Sequence, residues 1–177
     1  ILEQVDGSVL LIYADNETAR MNLTKEIVLR GIEPSRLIFG ERLSKPEYLA
    51  RYRVADLFLD TLPFNAGTTA SDALRMGLPV LTCMGSSFVS REAASVINAI
   101  NLPELITTTQ EQYESLAIEL ATDPEKLKII KDKLVDNLSK APLYDTPLFT
   151  QRLESAYLTM YDRYQNGLDA DHIYVED

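Results

Sequence analysis

Asp56-Leu-Phe-Leu-Asp-Thr-Leu-Pro-Phe-Asn-Ala-Gly-Thr-Thr-Ala-Ser-Asp72, continued by Ala73-Leu-Arg-Met-Gly-Leu-Pro-Val-Leu-Thr82, decides how this chain is read. Leu57-Phe-Leu59 is a short apolar strand, Thr68 to Met76 a helix, and Pro79-Val-Leu-Thr82 a second strand. Upstream, Ser8-Val-Leu-Leu-Ile-Tyr13 is a continuous apolar run, the pattern of a central parallel strand covered on both faces. Asp15 or Asn16 can cap the helix after it, whose apolar positions Ala19, Leu23 and Ile27 recur at helical spacing until Gly31. Arg36 to Phe39 forms another strand, and Ser44 with Glu47 makes a capping-box pattern for a helix through about Tyr52.

Downstream, Ser90 to Ile100 carries Ala93, Ala94, Ile97 and Ile100 on one helical face, and Leu105-Ile106 fits a last edge strand. The alternation then gives way to helices. Tyr113, Leu116, Ala117 and Leu120 mark one; Leu127, Ile130, Leu134 and Leu138 mark another, starting near Asp123-Pro124; Phe149, Leu153, Tyr157, Met160 and Tyr164 mark a third. Alternating strands and helices imply an α/β chain with a Rossmann-like doubly wound parallel sheet. Residues 1–177 read as one domain with extra C-terminal helices over about 109–166. Ligands of such sheets bind at the carboxyl ends of the strands, here the loops after Tyr13, Phe39, Leu59 and Thr82.

The 177 residues are 46% hydrophobic and 25% charged, enough to bury one core. A net charge of -10 argues against a nucleic-acid partner, which needs clustered Lys and Arg. It leaves room for a single nucleotide, whose phosphates can be held by backbone N–H groups at a helix start. Cys83, the only cysteine, reads as a small buried apolar side chain. His172, the only histidine, lies in an acidic tail and reads as structural or solvated. The carboxylates form no metal-ligand pattern, so no metal or other cofactor is expected. No run approaches the roughly 18 apolar residues that span a bilayer, and no leader precedes Ile1, so no membrane partner and a cytoplasmic location are expected. The chain starts without Met just before a strand, as a piece of a longer protein would.

The chemistry-bearing residues gather on the predicted rim. Gly67 allows close backbone approach, Thr68 and Thr69 add hydroxyl donors, and the free N–H groups of the following helical turn favour a diphosphate. Asp72, one turn on, can accept hydrogen bonds from a ribose diol; equally, Thr69 with Asp72 fits a Thr-x-x-Asp helix cap. Lys45 can reach a ribose or phosphate oxygen and Tyr48 can stack on a base, although both also suit an ordinary surface helix. Cys83-Met-Gly-Ser-Ser-Phe-Val-Ser90 is a third rim loop, with Ser90 as the expected cap of the next helix and no G-x-S-x-G elbow or positioned His to make a serine nucleophile.

The segment Asp56 to Thr82 resembles the signature of the O-GlcNAc transferase and SPINDLY-like family. The likeness continues through Ser90-Arg-Glu-Ala-Ala-Ser95, Leu102-Pro-Glu-Leu-Ile106, Glu111-Gln-Tyr113, Pro142-Leu-Tyr-Asp-Thr146 and Leu153 to Tyr164, and it is strongest to bacterial members with upstream tetratricopeptide repeats. The resemblance implies the C-terminal catalytic lobe of a GT-B glycosyltransferase, which transfers N-acetylglucosamine from UDP-GlcNAc to protein Ser or Thr hydroxyls without a metal ion. Carried over by position, Gly67, Thr68 and Thr69 would hold the diphosphate, Asp72 and Lys45 the uridine ribose, and Tyr48 would flank the uracil, whose edge would pair with the Leu43 backbone. The animal enzymes have His at the positions of Gly67 and Tyr48. The family's phosphate-binding Lys lies upstream of Ser8 and its proposed catalytic His residues lie in the other lobe. The implied partners are therefore UDP-GlcNAc, a protein acceptor, an N-terminal catalytic lobe and upstream repeats, with no catalytic residue in this stretch and no turnover by it alone. The long final helix resembles the one that packs back on the first lobe, which predicts an exposed apolar face. Two other readings stand beside this one: a non-catalytic nucleotide-binding or protein-docking module, and a nucleotide-sugar epimerase.

Overall fold

The computed structural model describes residues 1–175, in which five short strands alternate with helices and every strand pairing is parallel. The order is β1 (Leu10–Tyr13), α1 (Glu17–Leu29), β2 (Leu37–Gly40), α2 (Lys45–Arg51), β3 (Phe58–Leu59), α3 (Thr68–Arg75), β4 (Val80–Cys83), α4 (Glu92–Ala99), β5 (Ile106–Thr107), α5 (Gln110–Thr122), α6 (Pro124–Leu138) and α7 (Thr146–Gln165). The ladders fall into two groups, β1-β2 and β3-β4-β5. Leu10 is in register with Leu37, Phe58 with Val80, and Thr82 with Ile106.

The central strand is β4, all four of whose residues are buried. Its side chains alternate between two cores. Val80 faces a cluster with Ala70, Leu74, Ala93, Ile97 and Leu134, drawn from α3, α4 and α6. Leu81 and Cys83 face Tyr113 and Ala117 of α5. Helices thus cover both faces, which is the doubly wound arrangement.

The expectation that the Ser8–Tyr13 run is central is corrected by its packing. Within β1 burial alternates, and Leu11 and Tyr13 are exposed together with Val9 and the paired Ile38. A continuous apolar run signals apolar neighbours on both faces, but only one face of β1 is covered among the described residues. Helix α1 likewise has no buried residue, and the buried members of both core clusters lie between Ala70 and Leu134.

Local signals account for the helix starts. Asn16 Oδ1 accepts from Ala19 N at 2.8 Å, Thr109 from Gln112 N, Asp123 from Lys126 N and Asp145 from Leu148 N. Glu47 folds back on Ser44 as the capping-box pattern requires, accepting from its N–H at 3.1 Å and its hydroxyl at 2.6 Å. Those two hydrogen bonds, the hydroxyl's foremost, hold the Glu47 carboxyl below the usual carboxylate range. The last helix, α7, has no buried residue and leaves Phe149, Leu153, Tyr157, Met160 and Tyr164 exposed, as the apolar stripe in the sequence anticipates. No helix among the described residues is long and apolar enough to cross a membrane.

Candidate functional site

The loop between β3 and α3 is organised by a buried carboxylate. Asp60 Oδ1 accepts from Ala66 N at 2.7 Å and Thr61 N at 2.9 Å, and Oδ2 from the Thr82 hydroxyl at 2.6 Å. The Asp60 carbonyl accepts from the Tyr113 hydroxyl at 2.9 Å, which ties the loop to α5. Burial pushes the Asp60 carboxyl above the ordinary range, opposed by these hydrogen bonds and reinforced by the charge of Glu92. Asn65, also buried, donates to Thr61 O at 3.0 Å, and its own N–H reaches Val89 O on the neighbouring rim loop.

This scaffold delivers Gly67 to the N-cap of α3. No side chain caps that helix, and Thr68 and Thr69 occupy its first turn, exposed. The Thr-x-x-Asp cap open from the sequence is therefore not what is built: the N-cap is Gly67, and Asp72 hydrogen-bonds elsewhere. The first-turn N–H groups and two hydroxyls face outward at the positive end of the helix, an arrangement suited to an anion. Gly67 itself is tightly packed. A Cβ added there would overlap Glu92 Oε1 and lie 2.7 Å from Glu92 Cδ, so the α4 carboxylate fills the space of a side chain at 67.

The loop after β2 meets α3 across this rim. Lys45 Nζ lies 2.6 Å from Asp72 Oδ2, although 27 residues separate them. The same ammonium sits 4.9 Å from the centroid of the Tyr48 ring, and the Arg51 guanidinium 5.8 Å from it. Tyr48 and Tyr52, one turn apart on the same helical face, share a 2.5 Å hydroxyl–hydroxyl bond, and the Tyr52 hydroxyl donates to Thr69 O at 3.4 Å. Burial, with the Tyr48 hydrogen bond second, raises the Tyr52 pKa, so it stays a neutral donor. Leu43 is exposed in the loop just before α2. All seven residues singled out in the sequence thus belong to the two loop–helix junctions that Lys45 and Asp72 join. Chemically, a cation beside a carboxylate offers a diol one donor and one acceptor group.

The third rim loop turns differently from expectation. Ser90 does not cap α4; it belongs to a 3-10 turn, Phe88–Ser90, and its hydroxyl bonds Ser87 at the hydroxyl, the carbonyl and the N–H. The loop's own short turn captures the hydroxyl before α4 begins, so Arg91 is the N-cap residue. Together with Leu62, Pro63 and Thr108 the loop lines a cleft of about 360 Å³ whose floor includes Cys83. His172 is exposed in the tail, away from these residues in sequence and in no hydrogen bond through its ring.

Four residues around the site escape sequence reading. Asp60 ends a strand at the ligand-binding rim, a position that could have singled it out. Tyr52 follows Tyr48 by four residues, a spacing that pairs side chains on a helix. Tyr144, from the loop before α7, donates to Ser71 O at 2.7 Å, under Arg75 at 5.5 Å from its ring, and braces α3 from below. Neither that contact nor the Glu92–Gly67 contact has a local sequence signal, because each joins segments far apart in the chain.

Comparison with known proteins follows the same stretch. The family model described as glycosyl transferase family 41 matches residues 1–153. A UDP-N-acetylglucosamine--peptide N-acetylglucosaminyltransferase of Caenorhabditis elegans is 34% identical over 173 residues, 98% of this chain and 15% of that protein. A probable UDP-N-acetylglucosamine--peptide N-acetylglucosaminyltransferase SPINDLY of Petunia hybrida is 34% identical over 138 residues, 77% of this chain and again 15% of the relative. A mutant O-GlcNAc transferase of Thermobaculum terrenum superposes with a TM-score of 0.83 at 31% identity, covering 90% of this chain and 31% of that one. The chain therefore spans less than a third of each of these proteins.

Proposed function

This chain belongs to glycosyl transferase family 41, and on that premise we propose that it is the donor-binding lobe of an enzyme that transfers N-acetylglucosamine from UDP-GlcNAc to protein Ser or Thr hydroxyls. The observation that carries the reading is the convergence of two junctions: the uncapped start of α3, with Thr68 and Thr69, and the Lys45–Asp72 pair beside it. In the proposed complex the Gly67 backbone and the two threonines hold the diphosphate, Lys45 and Asp72 take the ribose hydroxyls, Tyr48 flanks the uracil and the Leu43 backbone meets its edge. Lys45 now lies over the Tyr48 ring, so uracil stacking requires its ammonium to move from that ring toward the ribose.

The reaction we infer is an inverting displacement. As the bond from the sugar to the diphosphate breaks, negative charge grows on the departing oxygen, and fixed N–H dipoles with two hydroxyls stabilise it. That compensation needs no metal ion. The catalytic base, the N-terminal lobe and any tetratricopeptide repeats belong, in this proposal, to the remainder of a longer cytoplasmic protein. The exposed apolar stripe of α7 is the surface we assign to contact with that lobe.

An amide NMR titration of this chain with UDP, with AMP as control, tests the site. UDP-selective shifts at Gly67–Asp72 and Lys45–Tyr48 are expected; equal shifts with AMP, or none, overturn the uridine site. Product analysis of the full-length protein with UDP-GlcNAc then separates transferred sugar from a free epimer.

A further inference from the structure

We propose that Glu92 is a specificity-determining residue that reads the hydroxyl groups of the donor sugar, an inference that rests on the donor-site reading above. Three observations carry it. The Glu92 carboxylate lies against the Cα of Gly67, the N-cap of the helix start assigned to the diphosphate, and occupies the volume any larger residue at 67 would need. Glu92 is half-buried there, and no donor among the described residues hydrogen-bonds its carboxylate. Its charge is felt by Asp60, the carboxylate that shapes the same loop.

A negative group in that place opposes a diphosphate unless hydrogen-bond donors stand between them, because like charges at short range repel strongly where water is excluded. The donor itself brings such donors. The sugar is attached directly to the distal phosphate, its hydroxyls are neutral donors, and an ionised carboxylate accepts from them with charge-assisted strength. Glu92 therefore penalises the bare nucleotide diphosphate and favours the nucleotide sugar, which discriminates substrate from product at one position. The ordinary alternative is that Glu92, in the first turn of α4, serves only the helix dipole. That role makes no distinction between the two ligands.

Isothermal titration of the full-length chain with UDP and with UDP-GlcNAc, for wild type and Glu92→Gln, decides between them. The expected result is UDP binding several-fold tighter in the variant, with the preference for UDP-GlcNAc over UDP falling about tenfold, the effect of weakening a charged hydrogen bond. Gly67→Ala, whose methyl group takes the carboxylate's place, is expected to lower the same preference. If Glu92→Gln changes both affinities by one common factor, or changes neither, the inference is overturned while the donor site stands. If wild type binds neither ligand, the donor-site reading falls and this inference with it.

Discussion

Replacing Asp72 by Ala tests the proposed ribose contact. In the unliganded protein the Asp72 carboxylate spends its hydrogen-bonding capacity on Lys45, whose ammonium is mostly solvent-exposed, so the pair contributes only about 0.2–1 kcal/mol to stability. Losing it shifts the melting temperature by a few degrees at most. In the proposed complex, that modest contact is exchanged for one charge-assisted hydrogen bond from the diol, about 1.5–3 kcal/mol. Subtracting the bridge leaves about 2 kcal/mol, or roughly thirtyfold in UDP affinity. The assay is calorimetric titration of wild type and Asp72→Ala with UDP and with 2′,3′-dideoxy-UDP. The thirtyfold loss should appear with UDP and shrink to about twofold with the analogue, since a missing diol cannot miss its acceptor. An equal loss with both ligands would refute the reasoning, because Asp72 would then act through the position of α3 or Lys45 rather than through the ribose.

Thr68→Val with Thr69→Val should leave the melting temperature unchanged, since both hydroxyls are exposed and cap nothing, while lowering full-length kcat/KM by about 100-fold; steady-state kinetics checks this, and a retained rate removes the threonines from the mechanism. Asp60→Ala strands the Thr61 and Ala66 N–H groups and should cost about 2–4 kcal/mol in urea melts. Because the Asp60 pKa is raised on folding, the native state holds the proton more tightly. Its contribution is therefore greatest below the ordinary carboxylate pKa and is lost as pH rises through the raised folded value, so wild-type stability should fall relative to Asp60→Asn across that interval. Leu74→Ala, which empties a fully buried position between α3 and β4, should cost about 2–5 kcal/mol in the same melts.

The parts of the fold that could be read in the sequence are those where local and global signals agree. Val80 to Cys83 is an apolar run that becomes a doubly covered strand, and Asn16 and Asp123 are caps whose short polar side chains need no tertiary partner. The Ser8–Tyr13 run looks the same in sequence, yet Leu11 and Tyr13 are open to solvent, because composition reports the need for a cover and not its presence. Within the site, the Gly67-Thr68-Thr69 start and Asp72 follow from strand, loop and helix order. What was hidden depends largely on segments meeting in space, as with Glu92 filling the vacant side of Gly67 and Tyr144 bracing Ser71, whereas Ser90 was lost as a cap to a competing local turn with Ser87.

The uneven burial has a dynamic consequence. The buried clusters centre on β4, whereas β1, α1 and β2 contribute no member to them. Amide hydrogen exchange should therefore be fast across Leu10–Gly40 and slow across Val80–Cys83, as for a region that opens locally beneath a more stable one. The Lys45–Asp72 contact joins the loop–helix segment that follows β2 to α3. A ligand gripping both sides closes the weaker unit onto the stronger, so its binding should slow exchange in Leu10–Tyr13, a strand that holds none of the residues assigned to the ligand.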